Sequence, residues 1–158
     1  MQNNDTKKIK SAHKNKYLLL ILIGVFLLAI SIYGIFQNSK HKYIYIDNNK
    51  FIAEVVDNEG SRQKGLSGRG SMPQGHAMVF KFGQEGNWNI WMKDMNFPID
   101  VLWVNKDGKV ISVEKNLQPS SYPKEFGPNE KSFTVIEVPA GTIDKYNISN
   151  NSKVNLLH

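Results

Sequence analysis

The feature that most limits what this chain can fold into is a run of twenty residues at 17–36, YLLLILIGVFLLAISIYGIF, that carries no formal charge. At about 1.5 Å of rise per residue, a helix of that length spans roughly 30 Å, the thickness of a bilayer's hydrocarbon. A helix packed in a globular core keeps a polar stripe toward water, and this run has none. Tyr17 at one end, and Tyr33 and Phe36 at the other, stand where aromatic rings settle at a membrane–water boundary. The competing reading is a cleaved secretory signal, with Ala29-Ile30-Ser31 as a weak cleavage pattern. Signal peptides, however, usually carry an apolar stretch of only about 7–15 residues. The run therefore predicts a retained transmembrane helix over 17–36.

Charge gives the orientation. Residues 1–16 hold five lysines (Lys7, Lys8, Lys10, Lys14, Lys16) against one acid, Asp5. Under the positive-inside rule this basic tail stays in the cytoplasm, which makes the chain a single-pass protein of the cell membrane. A short linker, 37–42, then leads to an extracytoplasmic domain over 43–158. The net charge of the whole chain is +6, and beyond residue 36 the balance is 15 basic against 13 acidic groups. No basic run interleaved with aromatics appears there, so nucleic acid is not an expected partner. The chain has no cysteine, which removes disulfides, thiolate metal sites and cysteine nucleophiles.

The outer segment is long enough for one compact core. Segments 43–46 and 51–56 are β-branched and aromatic, and Asp47-Asn48-Asn49-Lys50 between them makes a hairpin. Asn58 caps a short helix through Lys64, closed by a left-handed Gly65. Strands are expected at 77–82 and 87–93. In the second, Trp88, Ile90 and Met92 alternate with Asn89, Trp91 and Lys93. Segments 100–105 and 109–115 pair through Lys106-Asp107-Gly108, the plainest hairpin turn in the chain. Residues 117–131 hold three prolines and read as a long loop. Further strands follow at 132–138 and 154–157, with a short helix from Thr142 to Tyr146. The fold class is mainly β, or α+β: a compact, antiparallel, barrel-like domain with two short helices, preceded by one transmembrane helix.

Four blocks carry a family resemblance. They are Arg62-Gln63-Lys64-Gly65-Leu66-Ser67-Gly68-Arg69, Gly75-His76-Ala77-Met78-Val79-Phe80, Trp91-Met92-Lys93-Asp94-Met95-Asn96-Phe97-Pro98-Ile99-Asp100, and Val138-Pro139-Ala140-Gly141. In order and spacing these resemble the Domain of Unknown Function 192 family. Its pattern runs R-x-x-G-L-M-x-R, G-M-L-F, W-M-K-N-T-x-x-P-L-D and a late A-G. The likeness spans about residues 51–157. Ser67 replaces the usual methionine, Val79 the usual leucine, and Asp94-Met95 the usual asparagine–threonine. If that pair makes polar ligand contacts in the family, Asp94 makes the contact anionic here. The resemblance implies a compact β-rich domain, frequently exported, with no settled biochemical activity.

Several side chains are candidates for a site. Trp91 and Lys93 share one strand face, and Asp100 follows the bend at Pro98. An indole beside an ammonium and a carboxylate suits a polar ring ligand, whereas a Lys93–Asp100 ion pair fixing the bend is the structural alternative. Arg62 and Arg69 stand out against eighteen lysines, since a retained guanidinium implies a planar, forked partner. That partner is either a ligand carboxylate or phosphate, or an internal acid such as Glu114, Glu137 or Asp100, and the internal pair is favoured. Gln118-Pro119-Ser120-Ser121-Tyr122 forms either the rim of a cleft or an ordinary surface loop.

The leading expectation is a small polar ligand, such as a cell-envelope saccharide, held by Arg62, Arg69, Trp91, Lys93, Asp94, Asp100 and Gln118. One alternative is an envelope hydrolase that divides acid and base roles between Asp94 and Asp100. Another is an interaction module for a second membrane protein, displayed through exposed Trp88 or Trp103. No G-x-S-x-G elbow is present, and His76 is the one histidine inside the domain besides the C-terminal His158, so neither serine catalysis nor a histidine metal site is expected. The glycines at Gly65, Gly68 and Gly70 lack the spacing of a phosphate loop. No cofactor is expected.

Overall fold

The computed structural model describes residues 21–28 and 42–156. Residues 21–28 are helical, and every one of them is exposed, including Leu22, Phe26 and Leu28. The rest of the 17–36 span, the basic tail and most of the linker lie outside the described residues. Among the described residues no helix is long and apolar enough to cross a membrane. The chain divides into two units, Met1–Lys40 and His41–His158, and the second carries the β domain.

The described residues hold nine strands. β1 (Lys42–Ile46) and β2 (Asn49–Val56) form the expected hairpin, with Asp47 at a positive φ of 52° in its turn. The chain then crosses through α1 (Glu59–Lys64) to β3 (His76–Gly86). Asn58 caps α1 as expected, its side chain accepting from the Ser61 amide at 3.0 Å. Gly65 closes the helix at φ 47°, a conformation a side chain strains to adopt. β4 (Ile90–Trp91) pairs with β7 (Glu125–Phe126) in a small ribbon. β5 (Ile99–Val104) and β6 (Val110–Leu117) are the second hairpin, and a 3₁₀ turn, Pro119–Ser121, follows. β8 (Ser132–Pro139), α2 (Thr142–Lys145) and β9 (Val154–Leu156) complete the chain.

Seven strands make one sheet in the order β6-β5-β8-β3-β2-β1-β9. The sheet curls until its two edges touch at one end: the Val110 amide donates to Ser152 O at 2.9 Å and the Val154 amide to Gly108 O at 2.7 Å. It is a half-barrel of mostly antiparallel strands, with one departure from the expected pattern. β2 and β3 run parallel, because α1 and the turns after it carry the chain back to the end where β2 began.

Two further expectations need correction. The strand expected over 87–93 is reduced to Ile90–Trp91, since Trp88 folds back onto Phe82, their rings stacked at 4.0 Å. The alternation survives nonetheless: Ile90 and Met92 are buried while Trp91 and Lys93 are exposed. Trp103 is not exposed but fully buried, with its indole N–H donating to Trp88 O at 2.7 Å.

Both faces of the sheet are covered. One packs Ile44, Phe51, Val79, Leu102 and Ile136 against Ile143 and Ile148, contributed by α2 and the turn after it. The other packs Met78, Phe80, Val101, Trp103 and Val135 against Leu66, Ile90 and Met92. Every residue of β5 is therefore buried, Asp100 among them. Its two carboxylate oxygens each accept from a backbone amide, Asn116 at 2.8 Å and Ile143 at 2.9 Å. One bond holds the end of β6, where Asn116 sits at φ 53°, and the other secures the first turn of α2. Replacing Asp100 with alanine leaves the buried Ile143 amide and the part-buried Asn116 amide without their acceptor, a loss of about 1–3 kcal/mol for a buried donor and less for one that water reaches. Urea unfolding of Asp100→Ala is expected to show a loss of about 3 kcal/mol, with Asp100→Asn, which keeps one acceptor, losing less.

Candidate functional site

A groove of about 480 Å³ opens on the second face of the sheet. Arg62, Gly65, Leu66 and Ser67 form one wall, contributed by α1 and its exit. Trp88, Ile90, Trp91 and Met95 form the other, and Phe80, Phe82 and Glu137 lie between them. The walls are tied together across the chain: Ser67 Oγ donates to Lys93 O at 2.9 Å, and the Gly68 amide to Asp94 O at 2.8 Å. Gly86 allows Trp88 to lie flat, because a Cβ there would come within 2.8 Å of the indole.

Arg62 is fixed by the backbone. Its Nη1 donates to Asp57 O at 2.6 Å and Lys81 O at 3.0 Å, and its guanidinium lies over the Phe82 ring at 5.4 Å. With Trp88 against Phe82, this side of the groove carries an ordered cation beside two stacked rings. Trp91 is about half exposed at the rim, edge-on to Tyr122 with ring centroids 6.0 Å apart. Lys93 places its ammonium 5.9 Å from the Trp91 ring.

Glu137 is the unusual group. Strand alternation puts it on the groove face of β8, between Met78 of β3 and Val101 of β5. It is buried, and its Oε2 is fully covered with no hydrogen-bond partner. Burial pushes the carboxyl up to about 8, and the nearby positive charge of Arg69 offsets only part of that. At neutral pH Glu137 is thus a neutral acid, able to donate a hydrogen bond. Arg69 itself is engaged elsewhere, forking onto both oxygens of Glu54 at 2.8 and 2.7 Å. The Arg69 hydrogen bonds hold the Glu54 carboxyl below the usual carboxylate range, and the same bonds raise Arg69.

The structure separates the residues singled out in the sequence. Arg62 and Trp91 line the groove, and Lys93 rides on Trp91. Arg69 lies close enough to Glu137 to act on its charge, and its internal partner is Glu54 rather than Glu114, Glu137 or Asp100. Asp94 is exposed at φ 55° in the turn after Trp91, a left-handed place that short polar side chains tolerate. Gln118 is exposed and bonds to Asn116, at 2.7 Å to its side-chain oxygen, outside the groove lining. Asp100 faces the opposite side of the sheet. It neither pairs with Lys93 nor has an oxygen free for acid–base work, so the Asp94–Asp100 hydrolytic pair does not assemble. Among the described residues the ion pairs are Arg69–Glu54 and Lys115–Asp144, and no group of acids and histidines is placed to hold a metal. In the sequence Glu137 stands only among the candidate internal partners of an arginine, although one acid inside the otherwise apolar run Val135-Ile136-Glu137-Val138 is a visible signal of its unusual place.

A curled β-sheet domain with an aromatic-walled groove over a buried acid is the class that this fold and site define. The sequence pattern of Domain of Unknown Function 192, described as an uncharacterized ACR, matches residues 43–156. The chain belongs to that family. Two solved structures share the fold. One is a candidate transcription regulator from Sinorhizobium meliloti, 24% identical, with a TM-score of 0.70 over 73% of this chain and 92% of that one. The other is a protein of unknown function from Novosphingobium aromaticivorans, 20% identical, with a TM-score of 0.68 over 72% of this chain and 83% of that one. No curated protein matches the chain.

The raised Glu137 carboxyl makes stability depend on pH with a definite sign. Between about 4.5, where the unfolded chain loses this proton, and about 8, the folded form retains it. Stability from this group is therefore complete below 4.5 and declines as pH rises to about 8, by about 1.4 kcal/mol per pH unit. Glu137→Gln carries no such proton. The difference in unfolding free energy, wild type minus variant, is expected to fall steadily across that window and then level off. Parallel curves for the two proteins would show that the folded carboxyl titrates as it does in the unfolded chain.

Proposed function

We propose that the protein is a membrane-tethered, extracytoplasmic binding domain that holds a small polar ligand, such as a cell-envelope saccharide, in the groove between α1 and Trp91. The observation that carries this reading is a buried acid without a partner at the base of a groove with aromatic walls. A buried polar group is normally satisfied by protein or solvent, and one left open inside a concave site is what a ligand's polar atom replaces. Trp91 and Tyr122 supply exposed ring faces at the rim, where a sugar's apolar face stacks. Lys93 and Arg62 supply charge that orients the ligand.

The tether rests on the sequence of 17–36 and on the bare apolar helix of residues 21–28. The lysines of the N-terminal tail favour a cytoplasmic N-terminus, with the domain outside.

Two experiments test the two halves of the proposal. Titrating the full chain in detergent with envelope glycan fragments is expected to shift tryptophan fluorescence, and Trp91→Ala is expected to weaken binding about tenfold. A signal that is absent with every fragment, or unchanged in Trp91→Ala, removes the ligand reading. In cell fractionation the chain is expected in the membrane pellet, resistant to carbonate extraction, with the domain digested by protease added outside. Recovery from the soluble cytosol removes the tether.

A further inference from the structure

We propose that the groove selects an anionic ligand, a sugar or similar ring bearing a carboxylate, which meets the Glu137 carboxyl at the groove floor beneath the charges of Arg62 and Lys64. This rests on the groove being a ligand site and goes further by naming the charge of what enters it.

The argument begins with what surrounds Glu137. β3 and β5 set Met78 and Val101 against it; that face of β5 carries no titratable side chain, and that face of β3 carries His76, two residues before Met78 at the start of the strand. From β2 comes Glu54, and its charge is matched by the forked bond from Arg69. The groove walls add Arg62, Lys64 and Glu59. The lining is thus cationic by one charge while Glu137 is neutral, with the paired Arg69–Glu54 contributing no net charge. A cationic ligand would meet Arg62 and Lys64 and would have to displace the proton from Glu137. A neutral hydroxyl accepts only a weak hydrogen bond and leaves the cationic walls uncompensated. A carboxylate satisfies both conditions: its oxygen is the strongest acceptor available to a neutral acid, and its charge answers the walls. Glu137 lines the groove and its Oε2 is covered by protein, so the proposal assigns the ligand contact to the other carboxyl oxygen. No bond is made or broken: the Glu137 proton is shared with the ligand oxygen, and it must be present for the ligand to bind.

The same geometry discriminates. Once bound, a carboxylate beside an ionised Glu137 would set two like charges together in a buried site, so binding and ionisation of Glu137 are mutually exclusive. Binding is therefore expected to persist through neutral pH and to fail in mild alkali.

A matched pair of probes tests this: methyl glucuronoside and methyl glucoside, which differ only in the carboxylate. The full chain in detergent is titrated with each, following tryptophan fluorescence, at pH 6.5 and pH 9.5. The expected result is that the glucuronoside binds at least tenfold tighter than the glucoside at pH 6.5 and loses that advantage at pH 9.5. Glu137→Gln, whose amide remains a donor at every pH, is expected to keep the preference at both. Glu137→Leu, which can donate to neither probe, is expected to lose it. Equal binding of the two probes, abolished by Trp91→Ala, overturns the charge preference and leaves the groove as a ligand site. An advantage for the glucuronoside that is unchanged at pH 9.5 in the wild type shows that Glu137 does not donate, and also overturns it. If neither probe moves the fluorescence at either pH, both this inference and the groove reading fail.

Discussion

A sheet covered on both faces has no water to offer a charged side chain, and that constraint governs the centre of this domain. Asp100 and Glu137 lie on adjacent strands, opposite Val138 and Val101 respectively, and point to opposite faces. Their environments diverge. Asp100 receives two backbone amides and becomes a junction between β6 and α2. Glu137 receives none, and burial makes it keep its proton. A fold under no functional demand gains by placing an apolar residue at such a position, because an unsatisfied buried polar group costs stability. Glu137 sits instead where the covering elements part to form a groove.

The two arginines show why lysine does not substitute everywhere in so lysine-rich a chain. Arg69 forks onto both oxygens of Glu54, a planar match that a point charge cannot make. Arg62 divides its donors between Asp57 O and Lys81 O while its flat face covers Phe82. It thereby fastens the start of the α1 crossover to β3 and holds the ring on which Trp88 stacks. That single side chain joins the parallel crossover to the groove wall, so the shape of the site depends on the topology that made β2 and β3 parallel.

Much of this was legible in the sequence, for local reasons. Asn58 caps a helix through a bond three residues away, and Lys106-Asp107-Gly108 forms a turn through Gly108 at φ 73°, both set by neighbours in the chain. The alternation that left Trp91 and Lys93 outside while Ile90 and Met92 went in also needs only the strand period. What could not be read was decided by long-range partners. Glu54 is fifteen residues from Arg69, and Asp100 is forty-three from Ile143, so nothing local marks either pair. The 87–93 strand shrank because Trp88 found Phe82. The role of Asp100 was misjudged because a carboxylate that binds a ligand and one that binds two amides look alike in a sequence. Glu137 could be seen as an acid in an apolar strand, but only the sheet order shows that it faces a groove rather than a salt bridge.

On the ligand reading proposed above, rim and floor of the groove contribute differently to recognition. The exposed rings of Trp91 and Tyr122 gain from covering apolar surface, an attraction that tolerates many ring-shaped partners. The floor is less tolerant. A ligand that covers Glu137 without offering an acceptor seals a donor away from water, and that penalty grows with the fit of the rest of the ligand. Binding sites built on buried polar groups reject the wrong partner more strongly than they attract the right one. On that reading the rejecting group is Glu137, held on the middle of the sheet between strand segments that are buried on both sides, away from water. The selectivity proposed for the groove thus follows from the same two-sided burial that stabilises the sheet.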